Sequence, residues 1–253
     1  MQYQLTSLFL FITIFALAQA DNEIQVYASP TIQNKWTIFE LHSNYTFRGS
    51  NQLTDRLLAH WTNETLEITH GFGKNLEFGI YIFTGIAPKG GGYQYQGTHI
   101  RPRVTIPQEW KWKIGASLSA EFGFFRPNDT TGFVWEGELR PIIDKTINNW
   151  YFALNPNIGF VLTGDNKQWV ISPQFKTVYT FLQKWGVGIE YYSSLGTFKK
   201  LQPWNQQEHL LGPMIDLYVW PLWEVSGGLL FGLNNYSNQR ILKLILGRRI
   251  AKD

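Results

Sequence analysis

Residues 112–124 read Trp112-Lys113-Ile114-Gly115-Ala116-Ser117-Leu118-Ser119-Ala120-Glu121-Phe122-Gly123-Phe124. Every second residue is apolar: Trp112, Ile114, Ala116, Leu118, Ala120, Phe122 and Phe124. The residues between them are Lys113, Gly115, Ser117, Ser119, Glu121 and Gly123. Successive side chains of a β-strand point to opposite faces, so this stretch is a strand with one oily face and one polar or small face. A helix would scatter the two sets around its circumference.

The pattern recurs along the chain. Trp150, Phe152, Leu154, Ile158 and Phe160 oppose Tyr151, Asn155, Asn157 and Gly159. Ile100, Val104 and Ile106 oppose Arg101, Arg103 and Thr105. Phe133, Trp135, Leu139 and Ile143 oppose Glu136, Glu138 and Arg140, and Trp185, Val187, Ile189 and Tyr191 oppose Gly186, Gly188 and Glu190. Segments of roughly ten residues with alternating hydrophobicity are the signature of a membrane β-barrel. The spacing predicts twelve strands, at 36–47, 57–70, 76–87, 98–107, 112–126, 133–143, 150–163, 169–181, 185–196, 209–220, 223–233 and 240–250. In the second, alternation breaks near Asn63, where a bulge is expected.

The connections alternate as well. Gly71–Asn75, Gln108–Lys111, Asp144–Asn149, Leu182–Lys184 and Pro221–Leu222 are short. Arg48–Arg56, Pro88–Gly97, Pro127–Gly132, Gly164–Gln168, Thr197–Glu208 and Asn234–Gln239 are mostly longer and rich in Gly, Asn and Gln. Outer-membrane barrels have short periplasmic turns and longer external loops. The reading is thus an all-β, closed antiparallel transmembrane barrel in a bacterial outer membrane, with both chain ends in the periplasm.

The N-terminus carries an address. Leu8–Leu17 is an apolar run of signal-peptide length, and Ala18-Gln19-Ala20 is an A-x-A cleavage site. The run is shorter than the ~20 residues of a spanning helix, although residues 1–7 lack the usual Lys or Arg. The domain reading is a signal peptide at 1–20, a periplasmic N-terminal lead-in at 21–35 and the barrel at 36–253. The chain has no cysteine, so an exported domain must hold itself without disulfides, as a closed barrel does by pairing every strand twice. A net charge of +3, with no basic run, argues against a nucleic-acid partner.

Trp36, Trp112, Trp150, Trp185 and Trp223 all open a strand that rises from the periplasmic side. Tryptophan settles at headgroup level, so the five are expected to form a membrane-interface girdle. The polar faces then converge on the lumen, with Arg101, Arg103, Glu121, Glu136, Glu138, Arg140, Lys176, Glu190 and Asp216 as lumen or constriction candidates. Arg101 and Arg103 facing Glu136 and Glu138 form the densest cluster and the expected constriction. Acids and bases nearly balance, and either a salt-bridged filling or a solute-threading constriction accommodates them.

Signs of catalysis are sparse. Five histidines (His42, His60, His70, His99 and His209) show no metal-ligand spacing, and no cofactor or metal site is assigned. No G-x-S-x-G elbow or P-loop occurs, and Gly90-Gly91-Gly92 precedes a strand rather than a helix. His99 and His209 lie near external strand ends, yet spacing places no serine beside them for a lipid hydrolase. The chain is read as a non-enzyme.

One stretch, Glu67-Ile68-Thr69-His70-Gly71-Phe72-Gly73-Lys74-Asn75-Leu76-Glu77-Phe78, resembles the strand–turn–strand of an outer-membrane β-barrel family linked to the meta-cleavage pathway of phenol degradation. Pro88-Lys89-Gly90, Ser172-Pro173-Gln174 and Leu210-Leu211-Gly212-Pro213 are similar too. The ending Ala251-Lys252-Asp253 departs from the terminal aromatic of many such barrels. The resemblance implies a transporter-like barrel for small, aromatic or apolar, solutes. The expected partners are that solute, outer-membrane lipid and the barrel assembly machinery. The alternative is a plugged barrel with a structural or lipid-hydrolase role.

Overall fold

A computed structural model describes residues 22–51, 59–88, 91–126, 132–163, 168–218 and 220–251. The signal-peptide reading at 1–20 falls outside these residues, as do large parts of the external connections at 48–56, 127–132 and 164–168. No described helix is long and apolar enough to cross a membrane. Twelve strands close into an antiparallel barrel. They are β1 (Trp36–Arg48), β2 (Thr62–Phe72), β3 (Leu76–Ile86), β4 (Tyr93–Thr105), β5 (Gly115–Phe125), β6 (Val134–Ile147), β7 (Trp150–Val161), β8 (Trp169–Phe181), β9 (Trp185–Ser194), β12 (Glu208–Leu217), β13 (Trp223–Gly232) and β14 (Arg240–Ala251). Two further short strands, β10 (Gly196–Thr197) and β11 (Lys200–Leu201), make a hairpin in the connection after β9.

Closure is made by β1 and β14, which pair from Trp36↔Ala251 to Arg48↔Arg240. Every backbone group of a lipid-embedded strand needs a partner, and only a closed ladder supplies one on both edges. The bulge expected near Asn63 is not there. Asn63 pairs regularly with Asn44 and Gly85, and the alternation breaks because β2 begins only at Thr62. The irregularities fall at Thr46/Arg48 and at Phe83/Thr84. Short turns join the strand ends near Gly73, at Asn148-Asn149 and at 182–184, with Gly73, Asn148, Leu182 and Gln183 at positive φ.

Burial runs opposite to that of a soluble protein. Phe122, Phe152 and Ile189 are exposed, as are Leu41, Leu118, Leu154, Leu244 and Leu246. By contrast Glu67 and Glu77 are 0% exposed and Arg101 is 2% exposed. In water this would cost the apolar transfer energy of every outward side chain; in hydrocarbon the outward face is at home. Leu244 sits near the middle of β14, facing out. Leu244→Arg is expected to destabilise the barrel by about 2–4 kcal/mol, the cost of a midplane arginine on the lipid face. Denaturant titration in lipid vesicles checks this, and a change below about 0.5 kcal/mol would place Leu244 outside the hydrocarbon band.

Candidate functional site

The lumen is filled by the chain's own N-terminal segment. Residues 21–35, expected from sequence to be a periplasmic lead-in, run inside the barrel over 22–33 in the structure. The segment begins toward the external half, where Asn22 Nδ2 donates to Gln96 (3.1 Å) and the Asn22 carbonyl accepts from Thr65 Oγ1 (2.8 Å) and Asn44 Nδ2 (3.2 Å). It descends past Tyr27, whose N–H donates to Asn155 Oδ1 (2.7 Å) while Asn155 Nδ2 donates back to its carbonyl (3.1 Å). Ser29 then gives both its N–H and its hydroxyl to Asp144, each at 2.7 Å. The Ile32 N–H donates to Glu77 (2.6 Å). At the periplasmic mouth Asn34 bridges Gly71, and Lys35 at φ 67° turns the chain into β1.

Two glycines admit this strap. A Cβ on Gly71 would lie 2.3 Å from the Ile32 carbonyl oxygen, and one on Gly115 would lie 2.2 Å from Ser29 Oγ. No other residue leaves the backbone that close. Apolar contacts complete the seat, with Ile24 and Val26 packing on Ala153, Tyr192, Leu210, Leu230 and Ile241.

The wall facing the strap holds three buried charge networks. In the first, Arg101 donates to Glu67 (2.5 Å) and Glu77 (2.9 Å), and Arg103 pairs with Glu77 (2.8 Å) while donating to the strap carbonyls of Ala28 (3.0 Å) and Pro30 (2.8 Å). In the second, Arg140 bridges Glu138 (2.6 Å) and the strap's Glu23 (3.2 Å), while His99 meets Glu121 (2.7 Å) with Glu136 at 3.8 Å. In the third, Lys243 meets Glu190 (2.5 Å), and Lys176 meets Asp216 (2.9 Å). Arg101 and Arg103 therefore pair with β2 and β3, not with Glu136 and Glu138 as their sequence grouping suggests. Antiparallel register puts Glu77 directly beside Arg103 and leaves Glu136 and Glu138 on β6.

Tyr27 is the centre of the arrangement. The guanidinium carbons of Arg140, Arg101 and Arg103 lie 4.5, 5.1 and 5.8 Å from its ring centroid. Its hydroxyl bonds Glu23, Glu67 (3.1 Å) and Tyr81 (3.0 Å). Below it a cavity of about 530 Å³ faces the periplasmic mouth, lined by Trp36, Glu40, Glu67, Glu77, Glu224 and Arg249 among others.

Of the five tryptophans, Trp112, Trp150, Trp185 and Trp223 are exposed at the periplasmic ends of up-going strands. Trp36 shares the inward parity of Ile38 and Glu40 and lines the cavity instead. Trp112 precedes β5, which starts at Gly115. Lys113, grouped with the lumen face by alternation, is exposed for the same reason. His99 faces the lumen. The ring nitrogens of His209 are taken by Tyr191 (2.6 Å) and Gln207 (2.8 Å), and Trp204 stacks on it at 3.9 Å. Sequence reasoning missed the strap and Tyr27. The available signal was lumen-facing apolar residues on late strands, such as Leu210, Leu230 and Ile241, which need a cover.

No protein family matches the chain, and no curated protein matches it. Solved structures do. The KdgM porin is 12% identical, with 83% of this chain and 98% of that one covered at a TM-score of 0.52. A KdgM porin in complex with disordered oligogalacturonate is 12% identical over 85% of this chain and 99% of that one, at a TM-score of 0.51. The NanC porin in a rhombohedral crystal form is 9% identical over 85% and 100%, at a TM-score of 0.51. The likeness is one of fold, and together with the outward apolar face it makes this chain a transmembrane β-barrel of the bacterial outer membrane.

Proposed function

We propose that this outer-membrane barrel is an uptake channel for small solutes, aromatic ones among them, and that residues 22–33 close it. The observation that carries the reading is how the strap is held. Over residues 22–32 it joins the wall through side-chain hydrogen bonds, one ion pair and a small apolar contact, without strand pairing. Water or a solute can replace each of those bonds, so the filling is separable from the barrel.

Tyr27 supports the aromatic class. A phenolic solute seated in its place would meet the same guanidinium groups against its ring and the same acceptors at its hydroxyl. The phenol-degradation resemblance points to the same chemistry, although the porin neighbours do not carry that link. A polyanion such as the oligogalacturonate of the KdgM complex finds less support, because the lumen arginines are already matched by carboxylates.

The second reading is a plugged barrel with a structural or lipid-hydrolase role, which the filled lumen favours. The histidines argue against hydrolysis, since His209 is fully bonded and His99 is turned away from lipid. Liposome flux separates the two. Without residues 22–33 the purified barrel is expected to pass a small phenolic acid several-fold faster than a neutral sugar of similar mass. Absence of flux for both, with and without residues 22–33, together with release of fatty acid from the lipid, would replace the channel reading by the second.

A further inference from the structure

One lumen cluster is accounted for only in part by the ion pairs and the strap, which engage Glu67 but neither Glu40 nor the His42 ring through a hydrogen bond. Glu40 and His42 are two residues apart on β1 and so point to the same side, and β2 sets Glu67 directly opposite Glu40. One carboxylate oxygen of each glutamate and one ring nitrogen of His42 lie within 4.8 Å of one another. All three residues are buried, His42 and Glu67 completely.

Two observations say that the cluster lacks something. His42 Nε2 stands 3.5 Å from Glu67 Oε2, and neither His42 ring nitrogen makes a hydrogen bond. Among the described residues Glu40 makes no hydrogen bond or ion pair, although β1 holds it against the wall. A buried imidazole with two empty nitrogens beside a buried, unbridged carboxylate violates the rule that interior polar groups are satisfied.

We propose that Glu40, His42 and Glu67 hold one divalent transition-metal ion of the zinc class, entering from the periplasmic side. An imidazole with two carboxylates is a donor set that such ions take. Tetrahedral donors bound at about 2.0–2.2 Å lie about 3.3–3.6 Å apart, so the three side chains close in on the ion from a spacing of at most 4.8 Å. Entry is provided by the cavity under Tyr27, which Glu40 and Glu67 line and which Trp36, Pro221, Glu224 and Arg249 rim. Glu67 Oε2 is also the oxygen that accepts the Tyr27 hydroxyl at 3.1 Å. An ion on that oxygen competes with the strap for it. This competition, unlike the site itself, rests on the reading of residues 22–33 as a gate.

The test uses the full mature chain in detergent, stripped with EDTA and given zinc sulfate alone. Metal is counted after desalting, and affinity is read by competition with a chromophoric chelator. Heat-modifiable gel mobility reports barrel closure in each variant. The expected result is one zinc per barrel, weakened more than tenfold in both Glu40→Gln and His42→Ala, a loss that even an outer-shell partner can bring. His70→Ala, outside the cluster on the other face of β2, keeps binding. No retained zinc, or equal retention by Glu40→Gln and the parent, overturns the site. Glu40→Gln, nearly isosteric, decides the matter should His42→Ala fail to close.

Discussion

Deleting residues 22–33 is expected to raise single-channel conductance in planar bilayers by at least about tenfold, because the strap occupies the lumen from its external half to its mouth and a conducting path must be water-filled. The intact barrel should be closed or nearly so. The wall survives the deletion on its own bonds. Arg101 keeps Glu67 and Glu77, Arg140 keeps Glu138, and Lys243 keeps Glu190. Heat-modifiable mobility should therefore be unchanged. Tyr27→Ala should open the path only in part, since Ser29–Asp144 and the Arg103 bonds to Ala28 and Pro30 hold the lower strap. Equal conductance in the intact and deleted proteins, both closed as barrels, would remove the strap as a gate.

Arg101→Met is expected to be the most damaging single substitution in the wall. Arg101 is 2% exposed and serves two carboxylates and the Thr69 hydroxyl (3.0 Å), with the rings of Tyr27 and Tyr81 against its guanidinium. Methionine keeps much of the volume but leaves Glu67 without its cation. Breaking a buried pair from one side costs about 3–5 kcal/mol, most of it the penalty of the orphaned charge. The double variant Arg101→Met/Glu67→Gln should regain part of that loss, because the orphan is removed as well. Unfolding by denaturant in lipid vesicles measures both. A loss below about 1 kcal/mol for Arg101→Met would mean that water already screens the network and that the lumen is open.

The strand plan was legible because lipid imposes the simplest of rules. Leu118, Leu154 and Leu244 must face outward on a period of two, so alternation alone placed β8 at 169–181 and the other eleven strands within about five residues at each end, the largest offsets being at the starts of β2 and β4. β2 was drawn too early because Leu57, Leu58, Ala59 and Trp61 continue its apolar run in the sequence, whereas the strand begins at Thr62. The lumen obeyed no such rule. Arg101 and Arg103 pair with whatever the register brings beside them, and Glu67 and Glu77 are distant from them in sequence. Trp36 was read outward from its position at a strand start, yet parity with Ile38 turns it inward.

What the sequence by itself determined is therefore the wall: antiparallel strands, their number, the lipid-facing set and the polarity of the lumen, each a consequence of local periodicity against a hydrocarbon solvent. Only the tertiary structure decided what the lumen contains. The segment Asn22–Gln33 has no periodicity of its own, and the side-chain-mediated hydrogen bonds that tie it to the wall go to residues 22 to 128 positions away. An irregular backbone acquires a fixed place only when a surrounding surface satisfies its N–H and C=O groups, and that surface exists only after the barrel has closed.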